Sequence, residues 1–486
     1  MRHLILGAGP AGLIAAETIR KHSPYDTITI VGDEPEPPYS RMAIPYLLVG
    51  NVGESGTYLR RDASHLQRLN IAHVQQRAVN VDAARKTVTL GNGNIVGFDT
   101  LLIATGSRPT RPPIAGMDLP GVHPCWTLED ARHIERLAKP GAKVLQMGAG
   151  FIGCIIMEAL ASRGVELTVV EMGDRMVPRM MGPTAGNMIK AWCEKKGVRV
   201  FTGTRVESIE AEGAVTAHGA AAGNGHAQSV SSGGGLLSKI AGFFGGGGGG
   251  GDDAKPASAA QRSAVATPLA TPGAPGRMRV RLSNGQTLEA DLVISATGVK
   301  PNVAFLEGSG IECGQGVLTD ERLQTNVAGI FAAGDCAEAF DLATGQRVIS
   351  AIQPNAADEA YIAGMNMLGR GAVLQRVTQI NVLDTLGLIS ASFGDWQGAP
   401  GGEQSELTDE AAFKHLSLQF DDERLVGCNS IGWTEHVGVM RGLVEGKVKL
   451  GEWRARLLAD PTRLAEAYIA QGQAQEKWSQ TEARAR

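Results

Sequence analysis

The chain has 486 residues, and its 46 lysine and arginine residues against 50 aspartate and glutamate residues give a net charge of −4. At roughly 150 residues per domain, this length predicts about three domains, and the balanced charge argues against a nucleic-acid partner. The cysteines and histidines are scattered, so we expect no metal site. The first buried strand starts at Leu4 and no apolar run is long, so we expect no signal peptide and no transmembrane segment. A cytoplasmic location follows from these expectations.

A glycine-rich loop follows the first predicted strand. The apolar run that starts at Leu4 leads into Gly7-Ala8-Gly9-Pro10-Ala11-Gly12, which has G-x-G-x-x-G spacing. In a βαβ unit the first glycine makes the turn, the second lets the backbone approach a pyrophosphate, and the third allows close helix packing. The N-terminus of the following helix receives the negative charge. We therefore expect dinucleotide contacts at Gly7, Gly9, Pro10, Ala11 and Gly12.

An acid and an arginine follow this loop. After a helix through Lys21, a second strand, 27–31, should end in Gly32-Asp33-Glu34, where an acidic residue can hold the ribose of an adenine dinucleotide. Arg41 lies in the next, proline-rich loop, and its guanidinium can bind a pyrophosphate in a bidentate manner. The alternative for Arg41 is a surface arginine whose stem covers Tyr39.

Two further segments of the first unit contain candidate contacts. A hairpin is expected from Val79 to Leu90, and Val79 is a candidate cofactor contact. A buried strand, 98–104, then ends in small residues that let a ligand lie against the backbone. Thr105 and Gly106 are therefore candidates as well.

The opening pattern recurs in the middle of the chain. A strand at 142–147 runs into a second glycine triplet, and a helix and a strand at 166–170 then lead to an acid. Because the order is the same, we expect one chain to hold two dinucleotides. The acid, Glu171, would bind both ribose hydroxyls of NADH and repel the extra phosphate of NADPH, which favours NADH. The candidate contacts of this second unit are Gly148, Gly150, Ile152, Gly153 and Glu171.

The small-residue element also recurs, as Ala296-Thr297-Gly298 after a strand at 290–295. A later strand ends in Gly334-Asp335, where we expect a turn with an exposed acid and the start of a helix. The Asp335 carboxylate can accept hydrogen bonds from a polyol such as the ribityl chain of a flavin, although an isolated Gly-Asp pair is more often a helix N-cap. Gly298, Gly334 and Asp335 complete the candidate cofactor contacts.

Residues 213–276 interrupt the second unit with seven consecutive glycines and a tract rich in alanine, serine and proline. Such a composition cannot bury enough surface to fold, so we expect a flexible insertion between two strands. The apolar stretch Leu236–Phe244 inside it is either a docking peptide or inert low-complexity sequence.

The last part of the chain, from about Ile349, contains two β-rich stretches, 377–393 and 415–433, and then helices. We expect a third domain that packs against the first domain or against a second subunit, as in a homodimer. Gln353 is placed to approach the cofactor. Trp433 and His436 are either an active-site pair or a packed aromatic residue and a surface histidine.

Together these residues resemble the motifs of the two-dinucleotide flavoproteins in the pyridine nucleotide-disulfide oxidoreductase family. That family has a FAD-binding GxGxxG, an A-T-G, an NAD(P)-binding GxGxxG, a second A-T-G and a terminal G-D, and this chain has the same order. The resemblance implies an α/β fold with two Rossmann-like, glutathione-reductase-like domains and a C-terminal α+β domain. The implied domains are FAD-binding 1–112 and 292–348, NAD-binding 113–291 inserted in it, and a C-terminal interface domain 349–486.

Two loop segments narrow the resemblance. Pro38-Tyr39-Ser40-Arg41 is similar to the loop of ferredoxin and rubredoxin reductases and of the flavin module of nitrite reductases, which implies that Asp33 holds the adenosine ribose and Arg41 contacts FAD. Ile44-Pro45-Tyr46 is similar to the L-P-Y of NADH oxidases and coenzyme A-disulfide reductases. Those enzymes have a redox cysteine three residues before the proline, where this chain has Met42. Ile155 likewise stands where many relatives have a glutamate near the flavin.

A thioether forms neither a disulfide nor a thiolate, so Met42 excludes cysteine chemistry at this place and electrons must leave the flavin directly. We expect an NADH-linked FAD oxidoreductase that exchanges electrons with a ferredoxin or an iron–sulfur partner subunit, such as the electron-transfer subunits that serve 2-oxoacid oxidoreductases. The cofactors supply the chemistry, so we assign no catalytic side chain. The alternatives are an NADH oxidase or peroxidase acting on oxygen species, and a FAD- and NADH-binding sensor or structural flavoprotein.

Overall fold

The first unit begins with the predicted strand, helix and strand. The structure is a computed structural model that describes residues 1–212, 276–341, 345–377 and 380–472. The apolar stretch Leu236–Phe244 lies outside these residues. The elements of this unit are β1 (Arg2–Leu6), α1 (Pro10–His22), β2 (Thr27–Gly32), 3₁₀ helices at Arg41–Ala43 and Glu54–Thr57, α2 (Ile44–Val49), α3 (His65–Arg68), β3 (Ile71–Gln75), β4 (Ala78–Asp82), β5 (Thr87–Leu90), β6 (Ile95–Gly97), β7 (Thr100–Ile103) and β8 (Ser107–Pro109).

The second unit repeats this arrangement, and its last three strands follow the segment 213–275. Its elements are β9 (Val122–His123), α4 (Leu128–Leu137), β10 (Lys143–Met147), α5 (Phe151–Ser162), β11 (Glu166–Val170), α6 (Pro183–Lys195), β12 (Arg199–Phe201), β13 (Val206–Ala211), β14 (Met278–Leu282), β15 (Thr287–Ala290) and β16 (Leu292–Ser295).

The chain then returns to the first unit and ends in a separate antiparallel sheet with short helices. The returning elements are β17 (Val299–Pro301), a 3₁₀ helix at Ala304–Leu306, β18 (Val317–Leu318), β19 (Ile330–Ala332), β20 (Ala337–Asp341), β21 (Gln346–Val348) and α7 (Gln353–Met367). The C-terminal elements are β22 (Ile380–Thr385), β23 (Leu388–Gly394), β24 (Glu403–Asp409), β25 (Lys414–Asp421), β26 (Arg424–Ile431), 3₁₀ helices at Thr434–His436 and Pro461–Arg463, α8 (Val437–Glu445), α9 (Trp453–Ala459), α10 (Leu464–Ala467) and a π-helical turn at Tyr468–Gly472.

The two nucleotide-binding units have the same topology. Their five-stranded parallel sheets have the orders β3-β2-β1-β7-β19 and β12-β11-β10-β16-β9, and each unit adds a three-stranded antiparallel sheet, β4-β5-β6 or β13-β14-β15. In both sheets the strand before the glycine loop is central, between the strand that leads to the acid and the strand that leads to the A-T-G. This confirms the predicted fold class of two Rossmann-like units, in which a ligand binds outside the carboxyl ends of the strands.

Two expected domain boundaries do not match this topology. The boundary between residues 291 and 292 would divide the second sheet, because β16 pairs with β10 in the register Val144↔Leu292. The boundary at residue 349 would separate α7 from the first unit, yet Ala360 and Ala363 of α7 lie in one core cluster with Ala16 of α1. Small residues on both helices allow this close packing. The second unit therefore runs to Ser295, and the C-terminal domain begins at β22.

The turn at Gly334-Asp335 also differs from the expectation, because strand β20 follows it and the helix comes later, as α7. The side chains of residues 337–341 alternate between buried and partly buried, which is the period-two pattern of a strand. Sequence reasoning missed this alternation.

The C-terminal domain is a five-stranded antiparallel sheet of order β22-β23-β26-β25-β24, and β24 was missed by the prediction. Its Asn429 bridges to the second unit: the side-chain amide accepts the N–H of Gly182 at 2.9 Å and donates to the carbonyl of Met180 at 3.0 Å. Among the described residues, no helix is long and apolar enough to cross a membrane.

Deleting residues 220–272 should leave NADH-driven dye reduction intact. The strands on either side of the segment pair with each other up to Ala211↔Met278, and the N–H of Glu212 donates to the carbonyl of Arg277 at 2.7 Å. The residues that remain are enough for a hairpin loop. The assay uses the purified deletion variant with its flavin-to-protein absorbance ratio as the control for folding. A variant that keeps its flavin but reduces no dye would contradict the expectation.

Candidate functional site

The first glycine loop is packed so that its outer glycines are covered and its middle glycine is open. A side chain at Gly7, whose φ is +116°, would overlap the carbonyl oxygen of Ala104, and one at Gly12 would overlap the carbonyl oxygen of Gly7. A Cβ at Gly9, in contrast, meets no heavy atom within 4 Å. Gly9 is the N-cap of α1 and has no side-chain cap, so the first N–H groups of the helix are left for another acceptor such as a phosphate.

The second loop repeats these contacts residue by residue. Side chains at Gly148 and Gly153 would overlap the carbonyl oxygens of Ala296 and Gly148, while a Cβ at Gly150 meets nothing within 4 Å. Gly150 is likewise an N-cap without a side-chain cap. The alanine of each A-T-G thus presses against the first glycine of its loop. Both loops thus have the same packing and the same uncapped helix N-terminus, and their role in holding a pyrophosphate stays a prediction.

One large cleft, with an empty volume of about 1480 Å³, joins the two units. The first unit contributes its glycine loop and the residues after β7 and β19, and the second contributes the first turn of α5. The candidate contacts that line it are Gly7, Gly9, Pro10, Ala11, Asp33, Arg41, Thr105, Gly106, Ile152, Gly334 and Asp335. Of the candidate contacts of the second unit, Ile152 lines the cleft, whereas Gly148, Gly150, Gly153 and Glu171 do not.

Other predicted residues lie away from this cleft. Gly12 and Gly153 pack beneath their loops, and Gly298, with φ +103°, makes the turn before β17. A smaller cavity of about 540 Å³ shares Asp33 with the cleft and reaches Ala78. Val79 is next to it but does not line it; its side chain is exposed, and its backbone occupies an irregularity in the β4–β5 pairing. Its role as a contact stays a prediction.

The acid and the arginine of the first unit have different surroundings. Asp33 is exposed, and its carboxylate makes no hydrogen bond or ion pair with any residue that the structure describes. Arg41 donates to Glu34 at 2.6 Å and to the carbonyl of Trp126 at 2.7 Å. Its guanidinium also lies over the rings of Trp126 and Tyr39, at 5.3 and 5.7 Å from the centroids. Arg41 covers Tyr39, as expected for a surface arginine, and it also lines the cleft, where a pyrophosphate contact was expected.

Asp335 is half-buried, whereas an exposed acid was expected. The hydroxyl of Ser107 donates a hydrogen bond to its carboxylate at 2.6 Å. This contact joins the turn after β19 to the segment after β7. Asp335 also lines the cleft, and its contact with a ribityl chain stays a prediction.

Glu171 is held in place at the end of β11. One carboxylate oxygen accepts the N–H of Ala149 at 2.6 Å and the other accepts the N–H of Gly173 at 2.7 Å. The acid thus contacts the second glycine loop directly and keeps lone pairs for ribose hydroxyls.

Two residues that replace functional side chains of the related flavoproteins lie at the cleft: Met42, in place of the redox cysteine, and Ile155, in place of a glutamate. Met42 and Ile155 both line it, and Met42 is 48 % exposed. Cys125 also lines the cleft, but burial raises the pKa of its thiol to about 12, so it is not a thiolate at neutral pH. Within the described ranges, no group of three or more histidine, cysteine or acidic side chains is placed to hold a metal ion.

Several site residues were not identified from the sequence. Trp126 lines the cleft, and its indole donates to the carbonyl of Ser107 at 3.0 Å, but nothing in its sequence context marks it. Glu34 was named with Asp33 as an acid at the end of the second strand, but its contact with Arg41 was not predicted. Gln353 lines the cleft as predicted and accepts the hydroxyl of Ser40 at 2.5 Å.

Trp433 and His436 do not line the cleft. Their rings are stacked with centroids 6.4 Å apart, and Trp433 packs against the core of the C-terminal domain. The position of Trp433 favours the reading as a packed aromatic residue.

A family model described as pyridine nucleotide-disulphide oxidoreductase matches residues 1–232 and 265–360. Subunit epsilon of an NADH-dependent phenylglyoxylate dehydrogenase from Aromatoleum evansii is 29% identical over 474 residues, which cover 97% of each chain. An NADH oxidase from Methanocaldococcus jannaschii is 27% identical and covers 76% of this chain and 70% of its own. A rubredoxin-NAD(+) reductase from Pseudomonas putida is 25% identical, over 76% of this chain and 80% of its own.

Among solved structures, that of a covalent putidaredoxin reductase–putidaredoxin complex matches with a TM-score of 0.77. It covers 96% of this chain and 98% of the matched chain, at 20% identity. The likeness shows that the two proteins share their fold over 96% of this chain.

Proposed function

This chain belongs to the pyridine nucleotide-disulphide oxidoreductase family, and from that membership we propose that it is the NADH-facing flavoprotein subunit of a larger dehydrogenase. It is a FAD-dependent NAD(P)H oxidoreductase. Bound FAD exchanges a hydride with NAD(H) and passes the electrons to or from a protein carrier.

The observation that carries this proposal is the cleft shared by the two units. Its wall contains Gly9 of the first loop and Ile152 of the helix that begins at the second loop. Hydride transfer requires the two reacting rings to lie in contact, and a cleft lined by both the first loop and the start of α5 supports that proximity. The protein's own contribution is therefore binding and orientation.

We assign the binding roles from the contacts of the described residues. The open N-terminus of α1 receives the FAD pyrophosphate, Asp33 accepts the adenosine ribose hydroxyls, and Asp335 accepts from the ribityl chain. The guanidinium of Arg41, oriented by Glu34, faces the same cleft. Glu171 and the N-terminus of α5 perform the same tasks for NADH.

Two observations support a protein carrier as the electron acceptor or donor: the relatives of this chain, and the position of Met42. Met42 lines the cleft and cannot relay electrons as a disulfide, so the carrier must approach the flavin itself. The relative from Aromatoleum evansii is one subunit of a dehydrogenase and matches this chain from end to end. We therefore assign the carrier to an iron–sulfur subunit or a ferredoxin that connects this chain to the oxidation of a 2-oxoacid.

A second candidate is an NADH oxidase, which the relative from Methanocaldococcus jannaschii favours. The two candidates differ in what takes the electrons, oxygen species or a protein. The sensor alternative depends on Leu236–Phe244, which lies outside the described residues, and it stays a prediction.

The experiment that tests the subunit assignment is purification of the native protein from its own cells at low ionic strength, followed by visible spectra and identification of the co-purifying chains. We expect stoichiometric subunits with iron–sulfur absorbance and a thiamine-dependent or ferredoxin-like sequence. A protein that emerges alone and yellow, with no stoichiometric partner at several salt concentrations, would contradict the assignment.

A further inference from the structure

Glu359 is an acidic side chain in the core of the FAD-binding unit that no step above uses. It lies on the inner face of α7 and is 2% exposed. A buried carboxyl group without a cation loses the hydration of its charge, which is a large cost. A buried glutamate beside the Gly334-Asp335 turn, the predicted flavin contact, therefore needs an explanation.

The carboxyl group of Glu359 holds the turn that contains Asp335. Its Oε2 accepts the N–H of Gly334 at 2.6 Å. Gly334 has a φ of +77° and is so closely packed that a Cβ there would lie 3.3 Å from the Cβ of Ala11 and 3.5 Å from that of Ala356. The turn is thus wedged between α1 and α7, and Glu359 satisfies its buried N–H.

The charged groups around Glu359 do not offset a negative charge on it. Burial, together with the nearby carboxylates of Asp335 and Asp358, raises its pKa to about 8, although the hydrogen bond from Gly334 opposes this shift. Of the elements packed against α7, strands β7 and β19 contain no titratable residue.

Helix α1 contains titratable residues, but they are engaged elsewhere or lie at its far end. Glu17 pairs with Arg60 and His65, and Arg20 donates to backbone carbonyls near residue 70. Lys21 and His22 are at the C-terminus of the helix, whereas Ala11, near its N-terminus, faces the turn. No described cation forms an ion pair with Glu359, so at neutral pH it is mostly a neutral acid.

We propose that Glu359 is a positioning residue that holds the Gly334-Asp335 turn for FAD, and that its ionisation makes FAD retention depend on pH. The inference rests on the proposed FAD site. An ionised Glu359 adds a further negative charge to a site that already contains Asp335 and receives a pyrophosphate. FAD therefore binds the protein with neutral Glu359 more tightly, and affinity falls as pH rises.

The test is fluorimetric titration of the apoprotein with FAD between pH 6.5 and 9.0, which needs no turnover. We expect the Kd of the unaltered protein to rise at least fivefold over this range, with a limit of about tenfold per pH unit for one proton. Glu359→Gln keeps an acceptor for the Gly334 N–H and has no charge to gain, so its Kd should vary less than twofold. Asp358→Asn, an exposed neighbour, is the matched control and should keep the pH dependence, with its midpoint moved to slightly lower pH because the Asp358 carboxylate raises the pKa of Glu359.

A parallel dependence of the Kd on pH in Glu359→Gln and the unaltered protein would overturn the inference. If none of the proteins binds FAD at any pH, the proposed function fails instead, so the two failures are distinguishable.

The stability of the apoprotein provides a second, independent readout. A carboxyl group whose pKa is raised on folding binds a proton in the native state between its unfolded value, near 4.5, and about 8, so stability falls as pH rises through that window and is level above it. We expect the Tm of the unaltered apoprotein to fall from pH 5.5 to 8 by more than that of Glu359→Gln. Equal slopes would contradict a neutral, buried Glu359.

Discussion

Gly9→Val should give a folded protein that has lost its FAD. The backbone at Gly9 is extended, with φ −76° and ψ −171°, which valine adopts without strain, and a Cβ there meets no heavy atom within 4 Å. The new side chain instead fills the space in front of the first N–H groups of α1. Losing two or more hydrogen bonds to a charged pyrophosphate, each worth ~1.5–3 kcal/mol, should weaken FAD binding by at least about 100-fold.

Gly150→Val is the matched variant in the second loop, because Gly150 has the same conformation and the same open surroundings. It should stay yellow and lose reduction by NADH. Visible absorbance after purification and anaerobic titration with NADH measure both effects, and circular dichroism checks the fold. A Gly9→Val protein that retains stoichiometric FAD would show that the first loop does not hold the cofactor.

Glu171→Arg should reverse the dinucleotide preference. The carboxylate accepts backbone N–H groups from Ala149 and Gly173 and is placed for the two ribose hydroxyls, whereas a guanidinium favours the extra phosphate of NADPH. Loss of two hydrogen bonds to a charged acceptor predicts a fall of roughly 100-fold in kcat/KM for NADH.

Glu171→Gln is the control for this change, because it keeps an acceptor near the ribose and removes the charge. It should lose NADH efficiency by a smaller factor and gain little with NADPH. The measurement is kcat/KM of dye reduction with both dinucleotides. If the preference for NADH in Glu171→Arg is unchanged, Glu171 does not determine it.

The sequence predicted the repeated parts of the molecule because local chemistry determines them. Each glycine triplet needs a close backbone approach, and each strand before it is largely apolar and buried on both faces. These signals placed both loops, both A-T-G elements and the acids Asp33 and Glu171 near the positions that the structure gives them.

Long-range packing decided what the sequence did not predict. Whether β16 joins the first or the second sheet depends on its partner, β10, which lies about 150 residues earlier in the chain. The docking of α7 on α1 likewise depends on matched small residues of two distant helices. Trp126 reaches the cleft because its indole binds the carbonyl of Ser107, a contact without a motif. The sequence likewise did not identify Glu359 as a buried residue, because a glutamate in a helix is normally exposed and its burial depends on long-range packing.

The central claim is that NADH reduces a flavin in this chain and that a protein carrier, not oxygen, takes the electrons. Stopped-flow spectroscopy tests it: the holoprotein is bleached with one equivalent of NADH under anaerobic conditions and then mixed with either air-saturated buffer or a purified iron–sulfur carrier. We expect rapid bleaching, slow return of the yellow colour in air, and a return at least about 100 times faster with the carrier. Equally fast return in air alone would contradict the account and identify an oxidase.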